Sequence, residues 1–371
     1  MAELFIGLMS GTSLDGVDGV LVDFSATPFS VRAHASAALA PALKAELLAL
    51  NLQGNNELHR AALAANALMR VYADVVAQLL SAASSNPSQI TAIGAHGQTV
   101  RHQPQQFDGT GYTLQLASPA LLAELTGIEV VADFRSRDVA AGGQGAPLVP
   151  VFHQAMFGKA GQSVAVLNIG GMANLTVLRP AQAEDVLGFD CGPGNALMDA
   201  WCQRHRDLPF DVNGAWAASG RVHADLLNTM LAEPFFALPP PKSTGRDLFS
   251  QDWLERHLRG YDDVAPVDVQ TTLTELTAAT CANSVKTYGF DSKQLIVCGG
   301  GALNELLMAR LQALLPGTVV THSDAHGLPS QQVEATAFAW LARKTIRREA
   351  LDLKSITGTR GARVLGAIYP A

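Results

Sequence analysis

Apolar runs flank glycine-rich polar turns at two places in the chain. Residues 4–24 hold two strand-like apolar segments around the polar turn 10–16, and residues 164–178 repeat this pattern around a second turn. Two such segments around a glycine-rich turn predict a β-hairpin. The recurrence favours a duplicated α/β fold, although two glycine hairpins also occur by chance in a large α/β protein.

Helical and strand patterns alternate after each predicted hairpin. Leucines recur at three- and four-residue spacings where helices are predicted, and short apolar runs bounded by glycine or proline indicate buried strands. This alternation is typical of an α/β protein. Helices are predicted over residues 40–81, 119–125, 273–288 and 304–315 and from Glu334 onward, and strands over residues 90–95, 128–132 and 294–298.

The length of 371 residues exceeds what one hydrophobic core usually serves, so two domains are expected. Residues 133–147 change in composition, from charged residues to small ones, as is typical of a hinge. We therefore predict an N-terminal domain over residues 1–131 and a C-terminal domain over residues 132–341. The closing segment 342–371 is able to pack back on the first domain.

Charge and cysteine content narrow the class of protein. The chain has 26 Lys and Arg against 33 Asp and Glu, a net charge of −7, so it lacks the basic face that nucleic-acid binding needs. Its four cysteines form no CxxC motif, which favours reduced thiols in a cytosol. The first residues resemble no leader, and no apolar run of about 18 residues occurs. We predict a cytoplasmic protein with no nucleic-acid or membrane partner.

The turn at residues 11–18 has the residue types of a phosphate site. Its glycines can turn backbone N–H groups toward an anion, and its hydroxyl side chains can donate to phosphate oxygens. Asp15 and Asp18 would repel a bare triphosphate, so they require Mg²⁺ between them and the phosphates. Asp15-Gly16 alone is also compatible with a simple hairpin turn. The turn contains no lysine, which excludes a GxxxxGK[ST] loop.

Asp190 is the candidate general base. It precedes the turn Gly192-Pro193-Gly194 and a predicted helix, an arrangement that holds a carboxylate rigidly. The alternative is a carboxylate that only caps its own turn. The glycines at 299–301 lie between a strand and a helix, where they either admit an adenine or ribose or allow tight packing; they lack the GxGxxG spacing.

Other polar residues allow two interpretations each. His96 either contacts a sugar or packs in the core, and Arg135 either binds an anion or is solvated. Glu334 either faces the site or favours the start of a helix. The loop at residues 242–247 is expected near the cleft, with no function assigned.

Together, these motifs resemble the anhydro-N-acetylmuramic acid kinases, and the similarity covers essentially the whole chain. The motifs are long and unusual, which makes the resemblance more specific than an isolated glycine pattern. The matching segments are residues 7–18, 94–99, 133–150, 168–174, 188–199, 243–247, 298–301 and 334–341.

The resemblance implies a fold of the actin, hexokinase and Hsp70 type, with two duplicated α/β domains around a central nucleotide cleft. It further implies ATP with Mg²⁺ as cofactors, Asp190 as the catalytic residue and a homodimer as the assembly. Adenosine is expected near Gly299, Gly300 and Gly301, and the sugar near His96, Arg135 and Glu334. The residues expected to hold the phosphates are Gly11, Thr12, Ser13, Leu14, Asp15, Gly16, Val17 and Asp18.

The activity implied is ATP-dependent opening and phosphorylation of 1,6-anhydro-N-acetylmuramic acid at O6 in cell-wall recycling. One alternative is a kinase of the same fold that acts on an ordinary sugar hydroxyl. Another is a non-catalytic, nucleotide-driven binding protein. The chain shows no basic helix-turn-helix segment of a regulator and no spare length for a peptide-binding domain, which disfavours that last class.

Overall fold

The computed structural model describes residues 2–11, 14–179 and 186–371. Tertiary contacts divide the chain into two compact units. Unit 1 comprises Met1–Phe152 and Gln331–Ala371, and unit 2 comprises His153–Ser330. The boundaries expected from the sequence, near residues 131 and 341, both lie within unit 1.

Unit 1 contains one main sheet, a small separate hairpin and the helices that cover them. Its strands are β1 Leu4–Met9, β2 Gly16–Asp23, β3 Ser30–Ala38, β4 Ile90–Ala95, β5 Gln98–Pro104, β6 Gly111–Leu116, β7 Val130–Ala132 and β13 Ala367–Tyr369. Its helices are α1 Pro41–Ala49, α2 Glu57–Ala82, α3 Pro119–Thr126, α4 Ser136–Ala140, α12 Val333–Ile346 and α13 Lys354–Thr357, and α5 Pro150–Phe157 lies at the boundary.

Unit 2 has one sheet and a larger share of helix. Its strands are β8 Val164–Ile169, β9 Met172–Leu178, β10 Val186–Pro193, β11 Gln294–Cys298 and β12 Val319–His322. Its helices are α6 Ala196–Arg206, α7 Ala224–Leu231, α8 Pro234–Ala237, α9 Gln251–Leu258, α10 Pro266–Tyr288 and α11 Glu305–Leu314.

The two sheets share one strand order. In unit 1 the order is β13-β7-β4-β1-β2-β3, and in unit 2 it is β10-β9-β8-β11-β12. In each, an antiparallel hairpin (β1–β2 or β8–β9) is extended by a third antiparallel strand on one side and by parallel strands on the other. The predicted duplication of an α/β unit, each headed by a glycine hairpin, is confirmed.

Helix α12 joins the end of the chain to the core of unit 1. It packs so closely on β1 and β4 that a Cβ atom at Gly7 would lie 1.8 Å from the carbonyl oxygen of Ala335, and one at Gly94 would lie 2.1 Å from that of Phe338. Only glycine permits this approach of helix backbone to strand backbone. The contact explains why residues after 330 belong to unit 1.

Helix α2 is long and apolar enough, by length and composition alone, to cross a membrane, and among residues 2–11, 14–179 and 186–371 it is the one helix that is. Its buried face, which includes Leu68, Tyr72 and Val75, packs in the core of unit 1 against β2 and β3. The core helix of a globular protein meets the same criteria, so the helix carries no membrane assignment.

Candidate active site

Asp190 lies near the end of β10 and is only 6% exposed. Its backbone N–H donates to the carbonyl oxygen of Lys242 at 3.1 Å, and its Oδ2 accepts from the backbone N–H of Thr244 at 2.9 Å. The 242–247 loop therefore holds Asp190 through both its backbone and its side chain. This fixed geometry is what a general base requires. It also gives the 242–247 loop, whose function the sequence left open, a contact with the candidate base.

Lys242 is a buried cation close to this carboxylate. Its Nζ donates to the carbonyl oxygens of Phe235 at 3.1 Å and Phe236 at 3.3 Å, and it lies 4.6 Å from the centre of the Phe235 ring. Burial lowers the pKa of Lys242, and the charges of Cys191 and Asp190 oppose that shift. The sequence indicated the loop that begins at Lys242 but gave Lys242 no role, because nothing local shows that its side chain turns inward.

The Gly192–Gly194 turn packs against the hairpin turn of unit 2. Gly192 has φ +147°, and a Cβ atom there would lie 2.6 Å from the ring of Phe236. A Cβ atom at Gly194 would lie 2.3 Å from the carbonyl oxygen of Gly170, to which Asn195 also donates its backbone N–H at 2.8 Å. Close packing thus requires these two glycines, and it fixes the segment that follows Asp190.

The glycines at 299–301 differ in their surroundings. Gly299 has φ +80°, and a Cβ atom there would lie 2.6 Å from Oδ1 of Asn168. A Cβ atom at Gly301 would lie 2.4 Å from the side chain of Ile169. Tight packing therefore accounts for both. Gly300 is exposed, and a Cβ atom there would meet nothing closer than 3.6 Å, so it alone presents backbone with room beside it.

A row of polar residues crosses the unit 2 sheet toward these glycines. Asp190 on β10 pairs with Asn174 on β9, Asn174 pairs with Asn168 on β8, and Asn168 pairs with Cys298 on β11. Residues paired in register project from the same face of a sheet. The Sγ of Cys298 donates to Oδ1 of Asn168 at 3.6 Å. The row shows that Asp190 and the 299–301 turn lie at the same end of the strands, on different strands of the sheet.

In unit 1, the turn after β1 contacts the segment after β4. The Ser10 hydroxyl donates to the carbonyl oxygen of Gly97 at 3.0 Å and lies 2.9 Å from the Tyr72 hydroxyl. The Gln98 amide donates to the carbonyl oxygen of Gly11 at 3.1 Å. Two segments that the sequence singled out separately are thus hydrogen-bonded to each other. Ser10 is buried, and its hydroxyl is used inside the core.

The acidic residues of this turn have basic neighbours. Asp15 Oδ1 lies 3.3 Å from Nζ of Lys44, and Asp18 Oδ1 lies 3.8 Å from Nε2 of His34. Lost solvation and the charge of Asp15 raise the pKa of the half-exposed Asp18, and His34 opposes this rise. Leu14, which lies between Gly11 and these two acidic residues in the sequence, has φ +59°, a backbone conformation that residues with an apolar side chain rarely adopt.

Gly16 and Val17, also in the predicted phosphate turn, pack toward the interior of unit 1. Val17 is fully buried, and a Cβ atom at Gly16 would lie 2.5 Å from the carbonyl oxygen of Ala37, so the side of the turn formed by these residues packs inward. Thr12 and Ser13 lie outside the described residues. Across the described ranges, no group of three or more His, Cys, Asp or Glu side chains is placed to hold a metal ion.

His96 and Arg135, both expected near a sugar, contact each other. His96 Nε2 lies 3.1 Å from Nε and 2.9 Å from Nη2 of Arg135, and its Nδ1 lies 2.7 Å from the carbonyl oxygen of Gly97. Burial, followed by the Arg135 charge, lowers the pKa of His96 to about 3. Both ring nitrogens are engaged within unit 1, so His96 orients Arg135. Arg135 Nη1 also donates to the carbonyl oxygen of Gly145 at 2.9 Å.

Glu334 lies in the first turn of α12 and is partly buried. Residue 338 follows it by four positions and so shares its helix face. The ring of Phe338 packs 4.7 Å from that of His96. These contacts place His96, Arg135 and Glu334, the three residues predicted to contact the sugar, at one end of the main sheet of unit 1, on which α12 packs.

Comparison with known proteins gives strong matches along the whole chain. Residues 3–371 match the family profile of the anhydro-N-acetylmuramic acid kinases. Proteins named anhydro-N-acetylmuramic acid kinase are 65% identical over 389 residues in Albidiferax ferrireducens, with 100% of both chains covered, and 66% identical over 372 residues in Variovorax paradoxus, with 100% of this chain and 99% of the relative covered. The relative of that name in Bordetella pertussis is 57% identical, with 100% and 96% covered.

Solved structures give weaker matches. Component A of the (R)-2-hydroxyglutaryl-CoA dehydratase of Acidaminococcus fermentans has a TM-score of 0.47 and 11% identity, with 91% of this chain and 96% of that chain covered. A ROK family glucokinase from Streptomyces griseus, in complex with glucose and AMPPNP, has a TM-score of 0.43 and 14% identity, with 92% and 99% covered. Neither likeness bears on what this chain binds.

Proposed function

The chain belongs to the anhydro-N-acetylmuramic acid kinase family, and we propose that it couples opening of the 1,6-anhydro ring of its sugar to phosphorylation of O6. The product would be N-acetylmuramic acid 6-phosphate, formed in peptidoglycan recycling. The observation that supports this most directly is the buried Asp190 carboxylate, held by the Thr244 N–H and by its own backbone bond to Lys242.

In this proposal, Asp190 takes a proton from the water that attacks the anomeric carbon. The C1–O6 bond breaks as the new C1–O bond forms, and the electron pair remains on O6. O6 then bonds to the γ-phosphorus of ATP as the bond to ADP breaks. The sum consumes one water and releases one proton, which Asp190 holds until products leave. A positioned base contributes about 10²–10⁴-fold to such a step.

The phosphate turn at residues 11–18 would supply donors to ATP. Phosphoryl transfer needs mostly positioning and charge stabilisation, which backbone N–H groups and hydroxyls provide. Mg²⁺ usually keeps several waters and binds through one or two carboxylates and the phosphates, so it would enter with ATP. Asp15 and Asp18 are the carboxylates of this turn that would hold it, in exchange for their present contacts with Lys44 and His34.

Arg135 would bind the carboxylate of the muramic acid. A guanidinium matches a carboxylate in geometry and charge. Its contacts with neutral His96 and with the Gly145 carbonyl oxygen fix its direction. Glu334, on the helix face of Phe338, would accept hydrogen bonds from sugar hydroxyl groups.

The proposal also covers the cellular location and the oligomeric state of the protein. Cytoplasmic location is supported by four buried free cysteines, Cys191, Cys202, Cys281 and Cys298. A homodimer is what the family resemblance implies, and sedimentation of the purified protein at several concentrations tests it.

Isotope labelling tests the reaction. The purified protein is incubated with Mg-ATP and 1,6-anhydro-N-acetylmuramic acid in ¹⁸O-labelled water, and the products are weighed by mass spectrometry. We expect a 6-phosphate with one heavy oxygen at the anomeric carbon. A phosphorylated sugar whose anhydro ring is intact, or ADP without a sugar product, would reject the proposal and favour a kinase of an ordinary sugar hydroxyl.

A further inference from the structure

The segment that carries Arg135 turns around a buried carboxylate. Asp138, in helix α4, is only 1% exposed. Its Oδ2 accepts the backbone N–H of Gly145 at 2.7 Å, and its own carbonyl oxygen accepts the N–H of Gly143 at 2.9 Å. A Cβ atom at Gly143 would lie 2.2 Å from Oδ2, so the backbone passes directly beside the carboxylate. Asp138 therefore fixes the course of the chain that follows it.

Gly145 connects this carboxylate to Arg135. Its N–H donates to Asp138, and its carbonyl oxygen accepts from Nη1 of Arg135 at 2.9 Å. Its φ is +71°, a backbone conformation that L-residues rarely adopt, and a Cβ atom there would lie 2.7 Å from the side chain of Val139. Since one backbone group of Gly145 is held by Asp138, any movement of Asp138 displaces the acceptor that Arg135 uses.

The closing part of the chain holds Asp138 through its other carboxylate oxygen. Thr357, in α13, donates its hydroxyl to Oδ1 of Asp138 at 2.8 Å, and both residues are buried. The carbonyl oxygen of Thr357 also accepts the backbone N–H of Gln144 at 2.8 Å. Both oxygens of the carboxylate are thus occupied, one by Gly145 and the other by α13.

A buried carboxylate is costly, because it loses the water that would solvate its charge. Burial raises the pKa of Asp138, and the bonds from Gly145 and Thr357 and the charge of Arg135 oppose this rise. An arginine side chain has many rotamers, and its planar guanidinium matches a carboxylate only when its direction is fixed. The buried bonds of Asp138 reach Arg135 through one residue, so they are placed to supply that direction.

We propose that Asp138 is a positioning residue for sugar binding: it holds the Gly145 carbonyl oxygen where that oxygen orients the guanidinium of Arg135, and Thr357 holds Asp138. This inference rests on the proposed function, in which Arg135 binds the sugar carboxylate. Asp138 contacts neither substrate in this role, and it gains and loses no proton. Its effect on sugar binding should therefore exist only while residue 135 is an arginine.

A double-mutant cycle tests this dependence. The variants are Asp138→Ala, Arg135→Met and the two together, and kcat and KM for the anhydro sugar are measured at saturating Mg-ATP. Where turnover is slow, calorimetric titration gives the dissociation constant of the sugar. Arg135→Met keeps an unbranched side chain but leaves no guanidinium for the Gly145 carbonyl oxygen to orient. Residues that act through one interaction give non-additive effects, whereas the effects of independent residues multiply.

We expect Asp138→Ala alone to raise the KM for the sugar about tenfold and to change kcat less than about threefold, because a contact remote from the reacting bonds acts mainly on binding. In the Arg135→Met background, the same substitution should change kcat/KM for the sugar less than about twofold. The KM for ATP should stay within about twofold of wild type in Asp138→Ala.

Asp138→Asn should restore sugar use to within about threefold of wild type. Its Oδ1 can accept the N–H of Gly145, and its amide can donate to the hydroxyl oxygen of Thr357. The Thr357 hydroxyl can then donate to the carbonyl oxygen of Leu353, which lies 3.2 Å away. This rescue distinguishes the hydrogen bonds of Asp138 from its charge.

If Asp138→Ala fails to fold, Thr357→Val takes its place in the cycle, because it removes a single hydroxyl from the carboxylate. It should raise the KM for the sugar about three- to fivefold in the presence of Arg135 and have no effect in the Arg135→Met background. Thr345→Val is the matched control, since Thr345 is also a buried threonine of unit 1 and donates to two backbone carbonyl oxygens. It should keep the wild-type KM for the sugar.

An equal loss of kcat/KM in both backgrounds would overturn the inference, because Asp138 would then act on the fold independently of Arg135. A folded Asp138→Ala variant with the wild-type KM for the sugar would overturn it as well. Two other results concern the proposed function itself. Wild-type protein that forms no sugar phosphate would reject that function, and wild-type sugar affinity in Arg135→Met would reject the role of Arg135; either result removes the role of Asp138 too.

Discussion

The imidazole of His96 accepts hydrogen bonds at Nε2 from two nitrogens of the Arg135 guanidinium, at 3.1 Å and 2.9 Å. Its Nδ1 lies 2.7 Å from the carbonyl oxygen of Gly97, so that nitrogen carries the proton and the ring is neutral. Burial and the adjacent cation keep it so, since they lower the pKa to about 3. His96 is therefore a fixed acceptor that directs a cation, and it is not a proton donor in the neutral range.

Arg135→Lys should weaken sugar use more than ATP use. Lysine keeps the charge but cannot bind His96, the Gly145 carbonyl oxygen and a carboxylate in one planar arrangement. We expect kcat/KM for the sugar to fall roughly 10- to 100-fold, the range for lost charge-assisted hydrogen bonds, with the KM for ATP within about twofold. Steady-state kinetics with each substrate varied gives both values. Arg137→Lys, at an exposed position of the same segment, is the control. If Arg135→Lys lost sugar use and ATP use equally, the assignment of Arg135 to the sugar would be contradicted.

Buried neutral histidines should make the protein sensitive to acid. His153 is fully buried beside the Thr176 hydroxyl at 2.8 Å, and burial lowers its pKa to about 3 from the ordinary 6.5. The unfolded chain therefore takes up a proton below pH 6.5 while the folded chain does not, and the free energy of unfolding falls as pH falls from 6.5 toward 3. His153→Asn should flatten this slope by up to about 1.4 kcal/mol per pH unit.

Urea unfolding at a series of pH values measures that slope. His59→Asn, at an exposed position of α2, controls for the loss of an imidazole as such. If the slope of His153→Asn below pH 6.5 equals that of wild type, His153 is not the titrating group.

The repeating hairpins were visible in the sequence because apolar residues predominate in their strands on both sides of a glycine-rich turn. β1 is buried along its whole length and so has a strong local pattern. β3 was not predicted, because its side chains alternate between half-buried and exposed positions and are mostly small. The place of α12 in unit 1 depends on its contact with Gly7 and Gly94, and no local pattern reports a contact between the two ends of a chain.

The candidate site was likewise predictable from the sequence only in part. The Asp190 turn and the 299–301 turn were found from the sequence, since glycines are needed where backbone dihedrals and close packing exclude other residues. Asn174 was not singled out, because its position beside Asp190 depends on strand register. The Lys242–Thr244 loop was noted without a role, because the contact with Asp190 joins segments from different parts of unit 2.

Alanine substitutions should separate the two interpretations of the glycine turn in unit 2. Gly299→Ala forces an L-residue to φ +80° and places its Cβ atom 2.6 Å from Asn168, so it should lower the free energy of unfolding by about 2 kcal/mol or more. Gly300→Ala meets only ordinary contacts and should leave stability within about 0.5 kcal/mol. If adenosine lies on this backbone, Gly300→Ala raises the KM for ATP. An unchanged KM would argue against adenosine at Gly300 and leave packing as the reason for Gly299 and Gly301.

Lys242→Met should affect both stability and the pH profile. Methionine fills a similar volume but leaves the carbonyl oxygens of Phe235 and Phe236 without their donor, which costs about 1–3 kcal/mol. It also removes the cation near Asp190, so ionised Asp190 loses a favourable charge. The acid limb of the kcat/KM profile should therefore move to higher pH. Lys286→Met, on the exposed face of α10, is the control; an unmoved limb would show that Lys242 acts only on the fold.

Asp190→Asn should remove nearly all turnover and leave ATP binding nearly intact. Asparagine keeps the shape and can still accept from the Thr244 N–H at its side-chain oxygen, so the 242–247 loop should hold its position. It cannot take a proton from water, and we expect kcat to fall about 10²–10⁴-fold. Calorimetric titration with a non-hydrolysable ATP analogue should give a dissociation constant within about threefold of wild type. Asp199→Asn, on the next helix, should keep most activity. Substantial turnover in a folded Asp190→Asn variant would mean that another group accepts the proton, and a matching loss in Asp199→Asn would identify it.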